Sequence, residues 1–587
     1  MAILKTLSKQ VKGRWGATIA TPVFTALEVV MGVLIPYVTS WIIDRGIMRH
    51  DMWAVGRYGL LMLGLAALSM TFGIFSGRFS AEASTGFAAN LRRAMFRHIQ
   101  SFSFGNIDKF SPSGLVTRMT TDVNNLQNAF QMMLRISVRA PLNLVFSVLM
   151  CLFISPKLSV IFVVALLVLG FALYNIISRS VRWFTKVFEQ YDELNTVVQE
   201  NVSAIRVVKA FVREDYESEK FSRAAGALYR LFVKTETLQS LNHPVMMIVV
   251  YSCIIALSWF GARLVVGGEL TTGQLTSLFA YVMTILSALM MLSMIFVMMT
   301  MSAASARRIT EVLDEEPAIK SGIVTGKGLD GSIDFDDVSF HYPADSNADG
   351  SAPENAVSDI TLHISAGETV GIIGGTGCGK STVAALVSRL YDVTAGTLRV
   401  GGVDVRERDL EDLRNDVVTV LQKSTLFSGT IRDNLLWGNS NATDEECRQA
   451  CDIAQATEFI DAKPGGLDSE VEQGGANLSG GQRQRLCIAR ALLKKPKVLI
   501  LDDSTSACDT ATDAAISRGL AVALPGTTKL IIAQRVHSIV GADRIAVMKG
   551  GRIIGLGTHE QLLNSCRLYN EIYTLQTQDE GDFDKPE

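Results

Sequence analysis

The chain has 587 residues, of which 48% are hydrophobic and 19% charged, and its formal net charge is −3. A chain of this length exceeds what one hydrophobic core organises, so at least two domains are expected. The near-neutral charge argues against a nucleic-acid partner bound through phosphate neutralisation. The eight cysteines form no C-x-x-C pair, which argues against a zinc site or a disulfide framework and fits a reducing cytoplasm.

The first residues predict an amphipathic helix that lies in the membrane interface. Ile3, Leu4, Leu7 and Val11 fall on one helical face, and lysines fall on the other. A cleaved signal peptide is the alternative. It is disfavoured because the charged segment is long and no small-residue cleavage site precedes the continuing apolar run.

Six apolar segments follow, each near the length that a bilayer requires once helix extensions are allowed. They cover residues 15–43, 55–74, 141–154, 158–177, 245–266 and 275–299. The third is the shortest, and Arg135 and Arg139 stand just before it on one helical face. These arginines either meet anionic headgroups or substrate, or simply snorkel to the interface. In the last span a face of methionines, which includes Met283, Met290 and Met294, either lines a pocket or packs against helices and lipid.

Basic residues are concentrated in the amino-terminal segment and in the long connections after the second and fourth spans. The positive-inside rule therefore places both termini and the second half of the chain in the cytoplasm. Segments 113–119 and 202–211 of these connections have helical periodicity but too little apolar length to span a membrane. They are either coupling elements or solvated linkers, and periodicity does not choose between the two.

The second half has the pattern of a soluble α/β domain. We expect a membrane domain over residues 1–310, a linker over 311–331, an ATPase domain over 332–575 and an acidic tail over 576–587. Within this half, residues 343–355 predict a mobile surface loop, and the tail from residue 578 predicts disorder.

A nucleotide-binding P-loop is predicted by the run Gly374-Gly375-Thr376-Gly377-Cys378-Gly379-Lys380-Ser381, which fits the spacing G-x-x-x-x-G-K-[ST]. It follows an apolar run over 369–373 that predicts a buried strand, and it leads into a helical run from Thr382. Glycines there let backbone N–H groups converge on phosphate oxygens at a helix N-terminus. Lys380 is expected to reach the β- and γ-phosphates of ATP, and Ser381 to hold Mg²⁺. Cys378, between two glycines, is expected to be open to thiol reagents unless ATP covers it.

Two further stretches support this interpretation. An apolar run over 497–501 ends in Asp502-Asp503, as a buried strand that delivers a carboxylate to Mg²⁺ would. The run Leu478-Ser479-Gly480-Gly481-Gln482 precedes it by a short distance. Alone, such a string is compatible with a simple glycine turn, but its place before the acidic strand favours a functional role.

With these motifs, nearly the whole chain resembles the ATP-binding cassette (ABC) exporters. The resemblance implies an α-helical membrane domain of six spans followed by an α/β P-loop ATPase domain with a RecA-like part and a helical subdomain. It implies that Tyr342 stacks on adenine, that Gln422 senses Mg²⁺ and the coupling helices, and that Asp509 belongs to a loop linking two sites. It also implies that Ser479, Gly480, Gly481 and Gln482, the signature segment, bind the nucleotide held by an opposite cassette. The implied ligands are ATP, Mg²⁺, membrane lipid and a hydrophobic substrate.

Two positions depart from the family pattern. Asp503 stands where the family has a glutamate that activates water, and Gln534 stands where it has a histidine facing the γ-phosphate. Aspartate is one methylene shorter, and a misplacement of about 1 Å can cost roughly a hundredfold in rate. Glutamine cannot supply a titrating imidazole. Tolerated drift in a working enzyme is the alternative explanation.

The pattern therefore resembles the degenerate subunit of a heterodimeric multidrug exporter in a bacterial cell membrane. Its partner, a second half-transporter, is expected to have the glutamate, the histidine and an altered signature segment. Other functions stay open: a lipid or lipid-linked glycan flippase, a homodimeric exporter with slow ATPase activity, and an ATP-binding regulator or channel-like module. An importer is less favoured because importers usually lack a fused cassette, and the apolar spans argue against a soluble DNA-repair ATPase.

Overall fold

The computed structural model describes residues 2–325, 330–342 and 354–580. The chain divides into two compact units. The helical unit comprises Met1–Gln100 and Pro112–Glu315, and the α/β unit comprises Ser101–Ser111 and Glu316–Glu587.

The first part of the chain is helical throughout. Its helices are α1 (Ala2–Ser8), α2 (Trp15–Trp41), α3 (Met52–Gln100), α4 (Phe104–Phe110), α5 (Pro112–Thr117), α6 (Val123–Ile154), α7 (Pro156–Ser203), α8 (Ile205–Ala210), α9 (Glu214–Ser240), α10 (Asn242–Val266) and α11 (Thr272–Asp314). A 3₁₀ turn (Lys9–Val11) follows α1, and π-helical turns (Ile42–Ile47 and Arg118–Asp122) follow α2 and α5. All of these except α4 belong to the helical unit.

Within the described residues, six helices are long and apolar enough to cross a membrane, which confirms the six predicted spans. They are Trp15–Ile47, Met52–Gln100, Pro112–Ile154, Pro156–Ser203, Glu214–Val266 and Thr272–Leu292. The second has 49 residues and is therefore about 70 Å long, more than twice the hydrocarbon thickness of a bilayer. Such helices extend well beyond the apolar segments from which the spans were predicted.

The two connecting segments differ from each other. Segment 113–119 lies in α5 and the π turn that continue into α6 as part of one membrane-crossing helix. The short helix just before it, α4, is the part of this connection that belongs to the α/β unit, and periodicity did not single it out. Segment 202–211 contains the short helix α8; Val207 within it and Phe211 just after it are exposed.

Polar contacts fix the packing of the helical unit at two levels. Near the start of α6, the buried Asp122 carboxylate accepts a hydrogen bond from Arg308 Nε at 2.8 Å and another from Ser305 Oγ at 2.8 Å. Nearer the start of α11, the buried Tyr281 hydroxyl donates a hydrogen bond to the Val33 carbonyl at 2.7 Å. Because a buried polar group that loses its partner destabilises the fold, these bonds specify how α11 packs on α6 and α2.

The α/β unit contains three sheets. Its strands are β1 (Ile333–Phe340), β2 (Val357–Ile364), β3 (Thr369–Gly374), β4 (Ala395–Val400), β5 (Val403–Asp404), β6 (Val417–Val420), β7 (Gly429–Thr430), β8 (Glu470–Val471), β9 (Val498–Asp502), β10 (Thr528–Ile532), β11 (Arg544–Lys549) and β12 (Arg552–Gly557). The main sheet has the order β12-β11-β3-β10-β9-β6 and is parallel except for β12. An antiparallel sheet has the order β2-β1-β4-β5, and β7 pairs with β8.

The helices of this unit are α12 (Lys380–Val387), α13 (Leu410–Asp416), α14 (Ile431–Leu436), α15 (Asp444–Ile453), α16 (Thr457–Asp461), α17 (Gly480–Leu492), α18 (Thr510–Ala523), α19 (His559–Ser565) and α20 (Arg567–Glu580). Two hydrophobic clusters organise them. One cluster joins the antiparallel sheet to the main sheet. The other packs the four helices α14, α15, α16 and α17 against β9. The second cluster forms the predicted helical subdomain, and the fold class predicted from the sequence is confirmed.

The segment predicted as a linker is partly ordered against the α/β unit. Gly322 N donates to the Arg408 carbonyl at 3.1 Å, and Ile323 N donates to the Glu407 carbonyl at 2.9 Å. A Cβ atom on Gly322 would lie 2.1 Å from the Glu407 carbonyl oxygen, so only glycine fits there. Residues 326–329, most of the predicted loop over 343–355, and residues 581–587 of the tail lie outside the described residues. The prediction of disorder is wrong for residues 578–580, because α20 continues to Glu580.

Candidate nucleotide-binding site

The predicted site residues converge at one edge of the main sheet. Strands β3, β10 and β9 are parallel neighbours, and Ile532 near their carboxyl ends pairs with both Ile372 and Asp502. The P-loop follows β3, Asp502 ends β9, and Gln534 lies two residues beyond β10. Ligands of open α/β sheets bind at the carboxyl ends of the strands. This topology therefore accounts for the convergence of residues far apart in sequence.

The P-loop has the backbone that phosphate binding requires. Gly379 has a φ of +96°, and a Cβ atom there would lie 2.4 Å from the Ala356 carbonyl oxygen. Helix α12 begins at the next residue, so its first N–H groups have no intrahelical acceptor and can face an anion. The Lys380 ammonium donates to the carbonyls of Gly374 and Gly375 at 2.7 and 2.8 Å. These bonds hold the lysine along the loop.

A cavity of about 290 Å³ lies at this edge. It is lined by Tyr342, Ala356, Thr376, Gly377, Cys378, Gly379, Lys380, Ser381, Thr382, Gln422, Asp502, Asp503, Ile532 and Gln534. Twelve of these were predicted from the sequence; Ala356 and Ile532 were not. This cavity fits a nucleoside triphosphate with its metal ion in size, and its lining combines backbone amides, one ammonium group and carboxylates.

The oxygen ligands expected for Mg²⁺ are adjacent. Ser381 Oγ donates to Asp502 Oδ1 at 2.9 Å. Burial raises the pKa of Asp502 above its ordinary value, and the nearby Asp503 charge raises it further, whereas the Ser381 hydrogen bond and the Lys380 charge oppose this. A hydroxyl and a carboxylate at this spacing suit a hard cation that takes its remaining ligands from phosphate and water. These residues therefore fit the metal that the motifs imply.

Asp503, which stands where the family resemblance implies a glutamate, is held from two sides. Its Oδ2 accepts a hydrogen bond from Gln534 Nε2 at 2.9 Å and another from Gln422 Nε2 at 3.3 Å. Its backbone has a φ of +48°, a left-handed conformation that aspartate tolerates better than most residues. The two departures from the family pattern thus contact each other directly, which the sequence did not indicate.

Tyr342 lies in an aromatic cluster beside the P-loop helix. Its ring lies 5.0 Å from that of Phe340 and 5.2 Å from that of Tyr391, and its hydroxyl lies 3.0 Å from Thr382 Oγ1. The Tyr391 hydroxyl in turn donates to Asp108 Oδ2 of α4 at 2.6 Å. Burial and this carboxylate together raise the pKa of Tyr391 above its ordinary value. No sequence motif singled out Tyr391 or Asp108.

The signature segment has a different position. Ser479 caps α17, with Gln482 N donating to its hydroxyl at 3.3 Å and Ser479 N donating to Gln482 Oε1 at 3.0 Å. A Cβ atom on Gly481 would lie 2.8 Å from the Ala507 carbonyl oxygen, so this glycine packs on the loop before α18. Asp509 caps α18 by accepting from Thr512 N at 2.8 Å. Among the described residues that line the cavity, none comes from the signature segment.

The expectation for Cys378 is wrong. Its side chain is only 8% exposed and belongs to the hydrophobic core of the α/β unit, with Lys380 Nζ at 3.8 Å from its sulfur atom. The P-loop folds this side chain back against the end of β3, where a Cβ atom on Gly374 would lie 2.8 Å from its sulfur atom. Packing therefore shields the thiol even without nucleotide. All eight cysteines are free and buried.

Known proteins share both parts of this architecture. Residues 18–290 match the family model of the ABC transporter transmembrane region, and residues 357–506 match the family model described as ABC transporter. The ABC transporter ATP-binding protein YfiB of Bacillus subtilis (strain 168) is 35% identical over 554 residues, which are 94% of this chain and 95% of the relative. The chain belongs to the ABC transporter family. It is an exporter-like half-transporter with one membrane domain and one ATPase domain, and it couples transport to ATP hydrolysis.

Two further relatives show how widely this transporter architecture is used. The ABC transporter ATP-binding protein Rv1273c of Mycobacterium tuberculosis (strain H37Rv) is 35% identical over 549 residues, 92% of this chain and 93% of the relative. An ATP-dependent lipid A-core flippase of Desulfotalea psychrophila is 32% identical over 551 residues, again 92% of this chain and 93% of the relative.

Proposed function

We propose that this transporter chain is the degenerate subunit of a heterodimeric exporter. It binds ATP and Mg²⁺ in its own cavity, hydrolyses the nucleotide slowly, and contributes its signature segment to a competent site built with a partner subunit. The observation that supports this most is the direct contact between Asp503 and Gln534, the two residues that replace the family's catalytic pair.

The site retains what ATP binding needs. We expect Tyr342 to stack on adenine, and the P-loop backbone with Lys380 to hold the phosphates. Ser381, Asp502 and Gln422 would hold Mg²⁺, which when bound neutralises charge that develops on the phosphates. In each role the residue type matches the chemistry, and each of these side chains lines the same cavity.

The site is poorly equipped to activate water. Asp503 is one methylene shorter than glutamate, and two amides donate to one of its oxygen atoms. The shorter side chain withdraws the carboxylate, and the amide donors occupy one of its two oxygen atoms, so less of it is left to accept a hydrogen bond from water. Gln534 stays neutral at every physiological pH and cannot supply the charge of an imidazolium.

The signature segment is intact and lies outside the chain's own cavity, which supports a role toward a second cassette. Helix α17 begins at Gly480, so backbone N–H groups at its start are available to an anion held by another chain. We expect the partner to carry the glutamate and the histidine and to have an altered signature segment. Its ATP would then be held between its own P-loop and this chain's Ser479 to Gln482.

Closure of the two cassettes over ATP would switch the spans from an inward-facing to an outward-facing cavity. To reverse a strongly biased equilibrium, ATP must favour the closed form by about 5 kcal/mol. We place both termini and the ATPase domain on the cytoplasmic side of a bacterial cell membrane, because basic residues cluster in those connections. The transported compounds are hydrophobic or amphipathic, such as drugs, lipids or peptides.

The test is to purify the complex through a tag on this chain and identify the subunit that accompanies it. Asp503→Ala should leave the total ATPase activity nearly unchanged, whereas replacing the partner's glutamate by glutamine should abolish it. A chain that assembles only with itself and shows high, substrate-stimulated ATPase activity would contradict the proposal.

Lipid transport is a second candidate. It is favoured by the similarity to relatives named ATP-dependent lipid A-core flippase, one of which covers 92% of this chain. Proteoliposomes containing the complex and a fluorescent phospholipid separate the two functions. ATP-driven movement of the lipid between leaflets, without uptake of hydrophobic dyes, would identify a flippase.

A further inference from the structure

The C-terminal helix α20 contacts the segment that carries Gln534. Gln576 lies on this helix, and its side-chain Nε2 donates a hydrogen bond to the Gln534 carbonyl at 2.9 Å. The Val536 N–H donates to Oε1 of the same side chain at 2.8 Å. One side-chain amide therefore bonds to the backbone on both sides of Arg535. We call these two hydrogen bonds the Gln576 bridge.

The packing of α20 accounts for the place of this bridge. Tyr569 is fully buried and belongs to the hydrophobic cluster that contains Val536 and Ile539. It precedes Gln576 by seven positions, or about two helical turns, and residues at this spacing lie on one face of a helix. Because Tyr569 anchors this face in the α/β unit, the Gln576 side chain is directed at the backbone of residues 534–536.

The bridged segment has left the main sheet. Strand β10 ends at Ile532, and Ala533 N still donates to the Ile372 carbonyl at 3.1 Å. A 3₁₀ turn then begins at Val536. The backbone between these points belongs to neither strand nor turn, and the Gln576 bridge supplies one hydrogen bond at each of its ends. It therefore restrains residues whose conformation the sheet does not fix.

Glutamine has the chemistry that this bridge requires. A backbone carbonyl needs a donor and a backbone N–H needs an acceptor, and a primary amide offers both. The carboxylate of Gln576→Glu would accept from Val536 but could not donate to Gln534. The thioether of Gln576→Met has a similar length and would form neither hydrogen bond at comparable strength. The side-chain type is therefore matched to the two backbone groups.

The restrained segment holds the residue that contacts Asp503. Gln534 Nε2 donates to Asp503 Oδ2 at 2.9 Å, and both residues line the cavity. An amide carries two N–H groups, so the Gln534 side chain can also donate to a γ-phosphate oxygen. The position of that donor depends on the Gln534 backbone, which the Gln576 bridge holds. Gln576 is not among the described residues that line the cavity.

We propose that Gln576 is a positioning residue of the nucleotide site. Its side chain fixes the backbone of residues 534–536 and thereby sets the position from which the Gln534 amide donates to the γ-phosphate of ATP. The site then distinguishes ATP from ADP in part through a residue outside the cavity. This inference rests on the proposed place of Gln534 beside the γ-phosphate, but it does not depend on whether the partner is a different subunit.

The experiment measures nucleotide affinity at this chain's own site in the assembled complex. The complex with Mg²⁺ is photolabelled with radioactive 8-azido-ADP, and electrophoresis separates the label on this chain from label on the partner. The competitors are ADP and the non-hydrolysable ATP analogue adenylyl imidodiphosphate, which carries the third phosphate. Gln576→Met should weaken competition by the analogue about fivefold and change competition by ADP by less than about twofold. Gln576→Glu should weaken competition by the analogue at least as much, because its carboxylate faces the Gln534 carbonyl.

Thr577→Val is the matched control. Thr577 is the exposed neighbour of Gln576 on α20, and its hydroxyl donates to the Tyr573 carbonyl of the same helix at 2.9 Å. Its loss should leave both competitors unaffected. Gln534→Ala should itself weaken competition by the analogue, and adding Gln576→Met to it should change that competition by less than about twofold further.

Hydrogen exchange checks the bridge directly. In Gln576→Met the Val536 amide should exchange about two- to tenfold faster, because its acceptor is lost. The amides of β11, which lies in the main sheet, should exchange as in the parent. This pattern would show that the α/β unit is folded and that the change is confined to the bridged segment.

Three results would overturn the inference. Undiminished competition by the analogue in Gln576→Met, where Gln534→Ala does weaken it, would show that the bridge does not position Gln534, and would leave the role of Gln534 intact. Unchanged competition in Gln534→Ala as well would contradict the contact of Gln534 with the γ-phosphate and, with it, the inference. Equal losses for ADP and the analogue would indicate a general disruption of the site and not positioning.

Discussion

Gln534 donates its side-chain amide to the Asp503 carboxylate at 2.9 Å, so the two residues that depart from the family pattern form one hydrogen-bonded pair. A catalytic glutamate and histidine would form hydrogen bonds with the attacking water and the γ-phosphate, whereas Asp503 and Gln534 form a hydrogen bond with each other. Because they are in contact, a change at one of the two positions alters the effect of a change at the other.

Restoring both residues should therefore activate the site more than restoring either alone. In a complex whose partner glutamate is replaced by glutamine, we expect Asp503→Glu with Gln534→His to raise residual ATP hydrolysis by about a hundredfold. Each single variant should raise it by about tenfold at most, because one of the two groups is still missing. Turnover measured as phosphate release tests this. Full activation by Asp503→Glu alone would show that Gln534 does not limit the site.

Lys380 should contribute strongly to nucleotide affinity. Lys380→Ala removes the ammonium expected at the phosphates and should weaken binding of a fluorescent ATP analogue by about thirtyfold or more. Lys497→Ala is the control, because Lys497 is exposed and lies outside the residues that line the cavity. Similar affinities for the two variants would contradict the assignment of Lys380.

Replacing Asp502 by asparagine should have opposite effects on thermal stability without ligand and with ATP and Mg²⁺ bound. The pKa of Asp502 is raised mainly by burial, so the folded chain binds the proton more tightly than the unfolded chain does. The cost of the buried charge is therefore present at neutral pH, and it disappears as the pH falls below the ordinary aspartate value. Asp502→Asn should raise the unfolding temperature of the nucleotide-free chain by a few degrees at most. It should also abolish the additional stabilisation by ATP with Mg²⁺.

Thermal unfolding with and without ATP and Mg²⁺ measures both effects. Asp461→Asn is a suitable control, since Asp461 is in an exposed ion pair with Arg448 and does not line the cavity. Mg²⁺ binds only the ionised form of Asp502, and the pKa of this carboxyl is raised. On acidification the affinity for Mg²⁺ should therefore begin to fall at a pH above the ordinary pKa of aspartate. A nucleotide-free Asp502→Asn variant that is less stable than the parent would refute the burial argument.

Tyr391 should hold α4 on the α/β unit. Tyr391→Phe removes the hydroxyl that donates a hydrogen bond to Asp108 Oδ2 at 2.6 Å and should cost about 0.5–1.5 kcal/mol locally, the usual net contribution of one hydrogen bond. Amides of Phe104–Phe110 should then exchange hydrogen about two- to tenfold faster, while ATP affinity changes little. Tyr569→Phe, which removes a hydroxyl bonded to His559 at 2.7 Å, is the control. Unchanged exchange in α4 would show that its aromatic contacts alone hold it.

Much of the architecture was predictable because it depends on interactions between near neighbours. Apolar length predicts the six spans, since each helix satisfies its own backbone in lipid. Glycine spacing predicts the P-loop, since backbone conformation within eight residues determines whether its amides converge. The apolar run before Asp502 and Asp503 predicts a buried strand, again from neighbouring residues alone. Because β3, β10 and β9 are parallel, their carboxyl ends lie at the same edge of the sheet.

Other features follow from contacts between distant segments. Asp108 and Tyr391 are 283 positions apart, and no local pattern relates them. The same is true of Glu28 and Arg139, which form an ion pair only when α2 packs on α6. The direction of the Cys378 side chain also depends on the core beneath it, which is why its predicted exposure was wrong.

The amino-acid sequence by itself determined the fold class, the number of spans and most of the residues that line the cavity, and it singled out Asp503 and Gln534. Those properties reside in composition, periodicity and short motifs. Only the tertiary structure decided that Asp503 and Gln534 contact each other, that α4 joins the α/β unit, and that Glu28 pairs with Arg139. These depend on packing between elements, which long-range burial and hydrogen bonding select and local propensity does not encode.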